Sequence, residues 1–403
     1  MILAGRLLIE PDQPPRLGWM GVAEDRIAEV GFGKPFATPD LGGEDHLICP
    51  GFIDAHLHIP QIEVAGCDGP DLLHWLERVI YPAEAQWKNH AFACRQIRLA
   101  HRRLLQAGTL GYAGYLSSHE HAPECLIKAA SPPLRARVGQ TLMDRGAPDG
   151  LLEPGRFDFD IPADGRIARS INPRFAVSCS DSLLAEVRRA VRDGVFIQTH
   201  LAEAPDECEL VAGLFPDDEH YAGVYDRHGL LTERTLLAHC VHLTEPQWLL
   251  IARRRSVVVH CPTANTFLSS GLFDLDAARR HGVRLALGSD LAAGPDLSMP
   301  RVARAMIETA KVRAMTIAPD AYVPTPADAW RLITTGNAEA LGWPDGGRLE
   351  VGAAADLLLL RPPFPVDDHL IARLLYTWRD DYIVNRIVAG HPIDCPPSED
   401  TDP

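Results

Sequence analysis

The middle of this chain alternates brief apolar runs with helix-like stretches, and no other feature constrains its fold as much. Val195-Phe-Ile-Gln-Thr199, Thr235-Leu-Leu-Ala238, Ser256-Val-Val-Val259 and Val283-Arg-Leu-Ala-Leu287 are runs of the buried-strand kind. Between them lie helical signals. Thr244-Glu-Pro-Gln247 has capping-box spacing ahead of Trp248-Leu-Leu-Ile-Ala252. Residues 84–107 predict one long helix, with Ile97, Ala100 and Leu104 on one face and Gly108 as its stop. Repeated strand–helix units without a glycine-rich dinucleotide fingerprint predict an α/β fold, a closed (β/α)8 TIM-type barrel rather than an open sheet. In such barrels function gathers at the C-terminal ends of the strands.

The two ends of the chain read differently. Met1–Ala4, Arg6–Glu10, Arg26–Val30, Ala355–Leu360 and Tyr382–Val388 have strand character punctuated by Pro and Gly. Residues 1–47 and 347–393 therefore predict a small composite β-sandwich domain flanking a barrel of residues 48–346. Residues 394–403 form a polar C-terminal tail, and Pro396–Pro403 is expected to be disordered. The net charge of -15 over 403 residues argues against a nucleic-acid partner, because phosphate binding needs clustered cations. No run reaches the ~20 apolar residues that span a bilayer, and the first ten residues do not read as a signal peptide. Nine cysteines show no C-x-x-C spacing, and Cys179, Cys240 and Cys261 read as reduced core residues. These features predict a cytoplasmic protein.

Every candidate for chemistry ends one of these runs. In Pro50-Gly-Phe-Ile-Asp-Ala-His56-Leu-His58, strand alternation puts both imidazoles on one face, where they can reach one cation. His200 follows the 195–199 run, His239 follows Leu236-Leu-Ala, and Asp290 ends Leu287-Gly-Ser-Asp. Three or four imidazoles and one carboxylate suit zinc or a ferrous ion. Among 17 histidines a lone H-x-H is a weak signal, and a lone Asp after Gly-Ser could simply cap a helix. Five such residues, each at a strand end, point to a metal site. Glu203, three residues after His200, could stand beside the metal as a general acid/base; as plain structure it would only favour a helix N-terminus. None of the four lysines ends a strand-like run, which leaves no candidate for a bridging lysine carbamate and predicts a mononuclear site.

These motifs resemble the amidohydrolase superfamily, in its mononuclear deaminase branch. The H-x-H strand, His200-Leu-Ala-Glu203, Ala-His239-Cys, Gly-Ser-Asp290 and the return segment Gly347-Arg-Leu-Glu-Val-Gly-Ala-Ala-Ala-Asp356 match in order. Further stretches are similar to the guanine deaminase family: His58-Ile-Pro-Gln61, Leu72-Leu-His-Trp75, Tyr81-Pro-Ala-Glu84, Asn172-Pro-Arg174-Phe175, His260-Cys-Pro-Thr-Ala-Asn265 through Gly271, and Leu375-Tyr-Thr-Trp-Arg-Asp-Asp381. The resemblance implies that His56, His58, His200 and Asp290 hold one zinc ion per chain. It puts His239 at the reaction centre, as a further ligand or as a support for the hydroxide. Asp290 would accept a proton from water, Glu203 would protonate ring nitrogen 3, and hydroxide would add to carbon 2. Gln61 and Arg174 would read the lactam edge of the purine, with Phe175, Trp75 and Leu72 covering its ring, and Glu203 and His239 completing the substrate contacts. A homodimer is implied as well.

The chain also departs from that family. Leu110-Gly-Tyr-Ala-Gly114 replaces a Thr-rich strand, and the segment between Asp144 and Asn172 is too short for the usual helix, so one barrel helix is expected to be reduced or missing. Three rivals stay open: an aminohydrolase acting on another ring (8-oxoguanine, a triazine or a cytosine-like base), a catalytically silent metal-binding barrel, and an amide-ring hydrolase. The silent barrel has no use for Glu203, and the amide-ring hydrolase lacks its bridging lysine.

Overall fold

The computed structural model describes residues 1–129, 134–152, 157, 159, 165–192 and 194–394. The N-terminal strands are β1 (Ile2–Leu7), β2 (Arg16–Ala23), β3 (Arg26–Phe32) and β4 (Leu41–Pro50). The barrel follows with β5 (Phe52–His58), β6 (Thr109–Leu116), β7 (Arg135–Leu142), β8 (Ile167–Pro173), β9 (Phe196–Leu201), β10 (Thr235–His239), β11 (Val257–His260) and β12 (Arg284–Leu287). The chain returns with β13 (Leu357–Leu360), β14 (Ile383–Val388) and β15 (His391–Ile393).

Both chain ends join one mixed sheet, in the order β15-β14-β13-β4-β1-β2-β3. Its register explains why an all-leucine strand works there. Side chains alternate across a strand, so Leu357 and Leu359 pack with Leu3, Met20, Ile27 and Ile48 in the terminal core. Leu358 and Leu360 face the other way, into the barrel core with Leu47 and Cys49. One strand thus seals two cores.

Strands β5 to β12 pair in sequence order, each parallel to its neighbour. The ends of that sheet meet where β5 passes the loop after β12. Asp290 N donates to His56 O (2.8 Å) and His58 N to Leu291 O (3.0 Å). Asn337 staples the same seam: its amide donates to Ile53 O (2.6 Å) and Leu287 O (2.8 Å), and its oxygen accepts from Leu287 N (2.9 Å). Gly288 is required at this approach, because a Cβ there would lie 2.7 Å from His56 Cβ.

Three local expectations are corrected. The helix expected over 84–107 spans His90–Gln106: Asn89 is extended and its side chain accepts from Phe92 N (3.0 Å), so a new helix starts after it. Ile97, Ala100 and Leu104 are buried on that helix as expected. The helix Glu245–Arg254 forms without the side-chain cap. The Gln247 side chain donates to the Thr244 hydroxyl (3.2 Å) and accepts from Ala222 N (3.1 Å). At the N-terminus a single strand, Ile2–Leu7, replaces the two expected. Between β7 and β8 the described residues carry only the 3-10 turn Asp149–Leu151. The C-terminal tail lies outside the described residues apart from Asp394. No helix among the described residues is long and apolar enough to cross a membrane.

Candidate active site

Asp54, His56 and His58 occupy alternate positions of β5 and share a face. Buried Asp54 ties that strand to the opposite loop, accepting from His56 N (3.1 Å) and Ser289 N (2.9 Å). Burial raises its carboxyl to about 6, with the Ser289 hydrogen bonds opposing. His200 comes from β9 and His239 from the end of β10. Asp290 and His239 have positive φ (52° and 69°), a strained backbone for non-glycine residues of the kind that clusters at functional sites.

The donor atoms of His56, His58, His200 and Asp290 all lie within 4.8 Å of one another. His56 Nε2 and His58 Nε2 stand 3.2 and 3.4 Å from Asp290 Oδ1. His58 Nε2 and His200 Nε2 face each other at 3.0 Å. His200 Nδ1 is 2.5 Å from Arg174 O and must carry the proton there, because a carbonyl only accepts. Its Nε2 therefore presents a lone pair to the cluster. Burial pushes His58 and His200 well below the usual imidazole range. His56 Nε2 is buried with no hydrogen-bond partner. Burial alone would raise Asp290, but the close approach of His56 and the charges of His239, His56 and His58 hold it below the usual carboxylate range. Converging lone pairs, an orphaned nitrogen and an ionised carboxylate fit a single zinc-like cation.

His239 adjoins this set: its donor atom lies within 4.8 Å of those of His56 and Cys261 in one grouping and of Glu203 and Asp290 in another. Its Nε2 lies 3.3 Å from Glu203 Oε2 and 3.6 Å from Asp290 Oδ2. Its Nδ1 meets Asn265 Oδ1 at 2.9 Å, and an amide oxygen only accepts, so that nitrogen carries a proton. Burial, then repulsion from Asp290 and Glu207, raises Glu203 well above the ordinary carboxyl range.

A cleft opens over this floor. Gln61, Leu72, Trp75, Arg174, Phe175, Glu203, His58, His200 and Asp290 line it. Of the seven residues expected to touch substrate, six line the cleft and His239 lies beneath. Trp75 is fixed by its indole N–H donating to Cys67 O (2.7 Å). Tyr115 of β6 stacks on His58 with ring centroids 4.6 Å apart and backs that imidazole.

A model of the amidohydrolase family matches residues 47–393. The chain belongs to the amidohydrolase family. Among curated relatives, the guanine deaminase of Escherichia coli (strain K12) is 32% identical over 328 residues, 78% of this chain and 73% of that one. A guanine deaminase from C. acetobutylicum, solved with guanine bound, superposes with a TM-score of 0.89 at 26% identity, covering 98% of this chain and 99% of that one. An adenosine deaminase from Xanthomonas campestris with bound zinc superposes with a TM-score of 0.81 at 25% identity, over 97% and 92% of the two chains.

Within this amidohydrolase, sequence reasoning missed the residue that organises the cleft wall. Glu84 is 1% exposed. Its Oε1 accepts from Gln61 Nε2 (2.9 Å) and its Oε2 from Arg174 Nη1 (2.7 Å). The Gln61 oxygen accepts from Ala292 N (3.2 Å). Burial disfavours the Arg174 charge, but Glu84 outweighs it and holds the guanidinium ionised. The signal lay in Tyr81-Pro-Ala-Glu84, a stretch singled out without a role for its carboxylate. Leu76, Leu268 and Ala293 also line the cleft; as ordinary apolar residues they carried no signal. Asn265 was singled out only within a longer segment.

Proposed function

We infer that this amidohydrolase hydrolyses the exocyclic C–N bond of guanine, releasing ammonia and leaving xanthine. The observation that carries the reading is one buried floor, with a cation-ready donor set and a carboxyl raised out of its normal range, beneath a cleft walled by an amide, a guanidinium and aromatic rings.

We assign His56, His58, His200 and Asp290 as ligands of one zinc ion per chain, with ferrous iron as the alternative. Zinc supplies Lewis acidity that makes water nucleophilic near neutrality. Asp290, held ionised, accepts the proton of the attacking water. Glu203, held protonated by burial, donates to ring nitrogen 3 as carbon 2 is attacked; the proton taken up by Asp290 then passes to the departing amine, and the proton of the new carbon-2 hydroxyl restores Glu203 as the carbonyl forms. His239, donating from Nδ1 to Asn265, places Nε2 between the two carboxyl groups. Gln61 keeps one N–H and one lone pair free after bonding Glu84 and Ala292, which suits a lactam edge that both donates and accepts. Arg174 donates to the ring carbonyl, and Phe175, Trp75 and Leu72 cover the ring face.

The acidic surface supports a small neutral purine rather than nucleic acid as partner, and we place the chain in cytoplasmic purine catabolism as a homodimer. Ammonia release from guanine, 8-oxoguanine, cytosine and a triazine, with the zinc-loaded protein, tests the substrate. Guanine is expected to turn over fastest. Inert guanine beside an active second ring would transfer the assignment to that ring.

A further inference from the structure

Outside the barrel mouth, the helices His90–Gln106 and Ala122–Ala129 bring a second set of reactive side chains together. His90 and Cys94 are four residues apart on one helix and share a face. His90 Nδ1 lies 3.8 Å from Cys94 Sγ, and Cys94 Sγ lies 2.7 Å from Cys125 Sγ on the neighbouring helix. Cys94 is half-buried and Cys125 buried, while His90 is exposed. His121 flanks the set, its ring centroid 5.4 Å from that of His90 and its Nε2 2.8 Å from Trp87 O.

We propose that Cys94 and Cys125 form a disulfide by exchange with a small-molecule disulfide, with His90 as the base. The sulfur separation decides between the two chemistries open to such a cluster. Two thiolates on one tetrahedral zinc, each at about 2.3 Å, would stand about 3.8 Å apart. A disulfide bond is about 2.05 Å long, and the pair at 2.7 Å is nearer to that. The asymmetry of burial sets the order of events. Cys94 passes its proton to His90 Nδ1 and its thiolate attacks one sulfur of the small disulfide; that S–S bond breaks and one thiolate leaves. Cys125 then loses its proton and attacks the Cys94 sulfur, expelling the second thiolate. Two protein thiols become one disulfide, and the small disulfide becomes two thiols, so electrons and protons balance. Burial, and the neighbouring Cys94, push the Cys125 thiol up to about 12, which makes it the poorer first nucleophile and the natural resolving partner.

The test treats the full reduced protein with oxidised glutathione and maps thiols by mass spectrometry without reduction. Exposed Cys67 serves as an internal control for reagent access. A cross-link between the peptides carrying Cys94 and Cys125 is expected. In Cys125→Ser a glutathione adduct should accumulate on Cys94 instead. His90→Gln should slow cross-linking about tenfold at fixed pH without changing its site. If Cys67 is modified while Cys94 and Cys125 both remain free thiols, the proposal fails. It also fails if the reduced protein takes up a second cadmium ion with a thiolate charge-transfer band that Cys94→Ser abolishes, and no cross-link forms.

Discussion

Two buried polar clusters adjoin at the barrel mouth and are built on opposite terms. In the donor cluster, His58 and His200 point nitrogens at each other across 3.0 Å and His56 Nε2 has no hydrogen-bond partner. In the cleft wall, Glu84 meets both Gln61 and Arg174, so each charge has its complement. A buried polar group without a partner is costly, so the first arrangement favours taking up a cation. The second is charge-matched without substrate, and Gln61 keeps an N–H and a lone pair free to receive it.

The comparison can be broken most sharply at Asp290. Asp290→Ala removes the only carboxylate of the four-donor set, and both bound metal and ammonia release should fall to background, read by elemental analysis and an ammonia assay. Retention of stoichiometric metal would show that the unmatched lone pairs are not awaiting an ion. Glu203→Gln separates proton transfer from metal holding: kcat should drop by about 10²–10⁴ while metal content stays near that of the parent. Undiminished turnover in that variant would remove Glu203 from the proton relay. On the matched side, Glu84→Ala leaves Arg174 buried and unpaired, which costs about 3–5 kcal/mol. Thermal unfolding should register that loss, and KM should rise more than kcat falls. An unchanged melting temperature would contradict the pairing argument.

The smallest effect concerns a buried group with a single neutral partner. His101 Nε2 meets the Tyr112 hydroxyl at 2.9 Å, and burial lowers its imidazole from 6.5 to about 4. The unfolded chain binds that proton at higher pH than the folded one. The neutral form's contribution is therefore present above pH 6.5 and is lost as pH falls toward 4, on the order of 3 kcal/mol. His101→Gln should flatten the denaturant-measured stability profile across that window. An unaltered slope would assign the acid sensitivity to other groups.

Much of the site was legible because its chemistry sits at strand ends. Residues at alternate positions of β5, and at the ends of β9 and β10, announce themselves by type and by the apolar run before them. Glu84 did not, because a single carboxylate in a Tyr-Pro-Ala-Glu stretch reads as a solvated helix residue until Arg174 is found across the cleft, 90 positions later. The helix start at His90 was missed for a local reason. Asn89 supplies a cap that competes with continuation, and the 84–107 pattern held no proline or glycine to flag it. Thr244 shows the converse: the two residues with capping-box spacing do meet, but side chain to side chain, while the Gln247 oxygen accepts from Ala222 N.

By itself the sequence determined the barrel, the meeting of both ends in one small β unit, and which residue types could hold a cation, because these depend on periodicity and on donor chemistry. Only the tertiary structure decided that His239 meets Glu203, Asp290 and Asn265, and that Glu84 joins Gln61 to Arg174. Those outcomes depend on distances between residues far apart in the chain, which are set when β5 and β12 close the barrel and not by any local pattern.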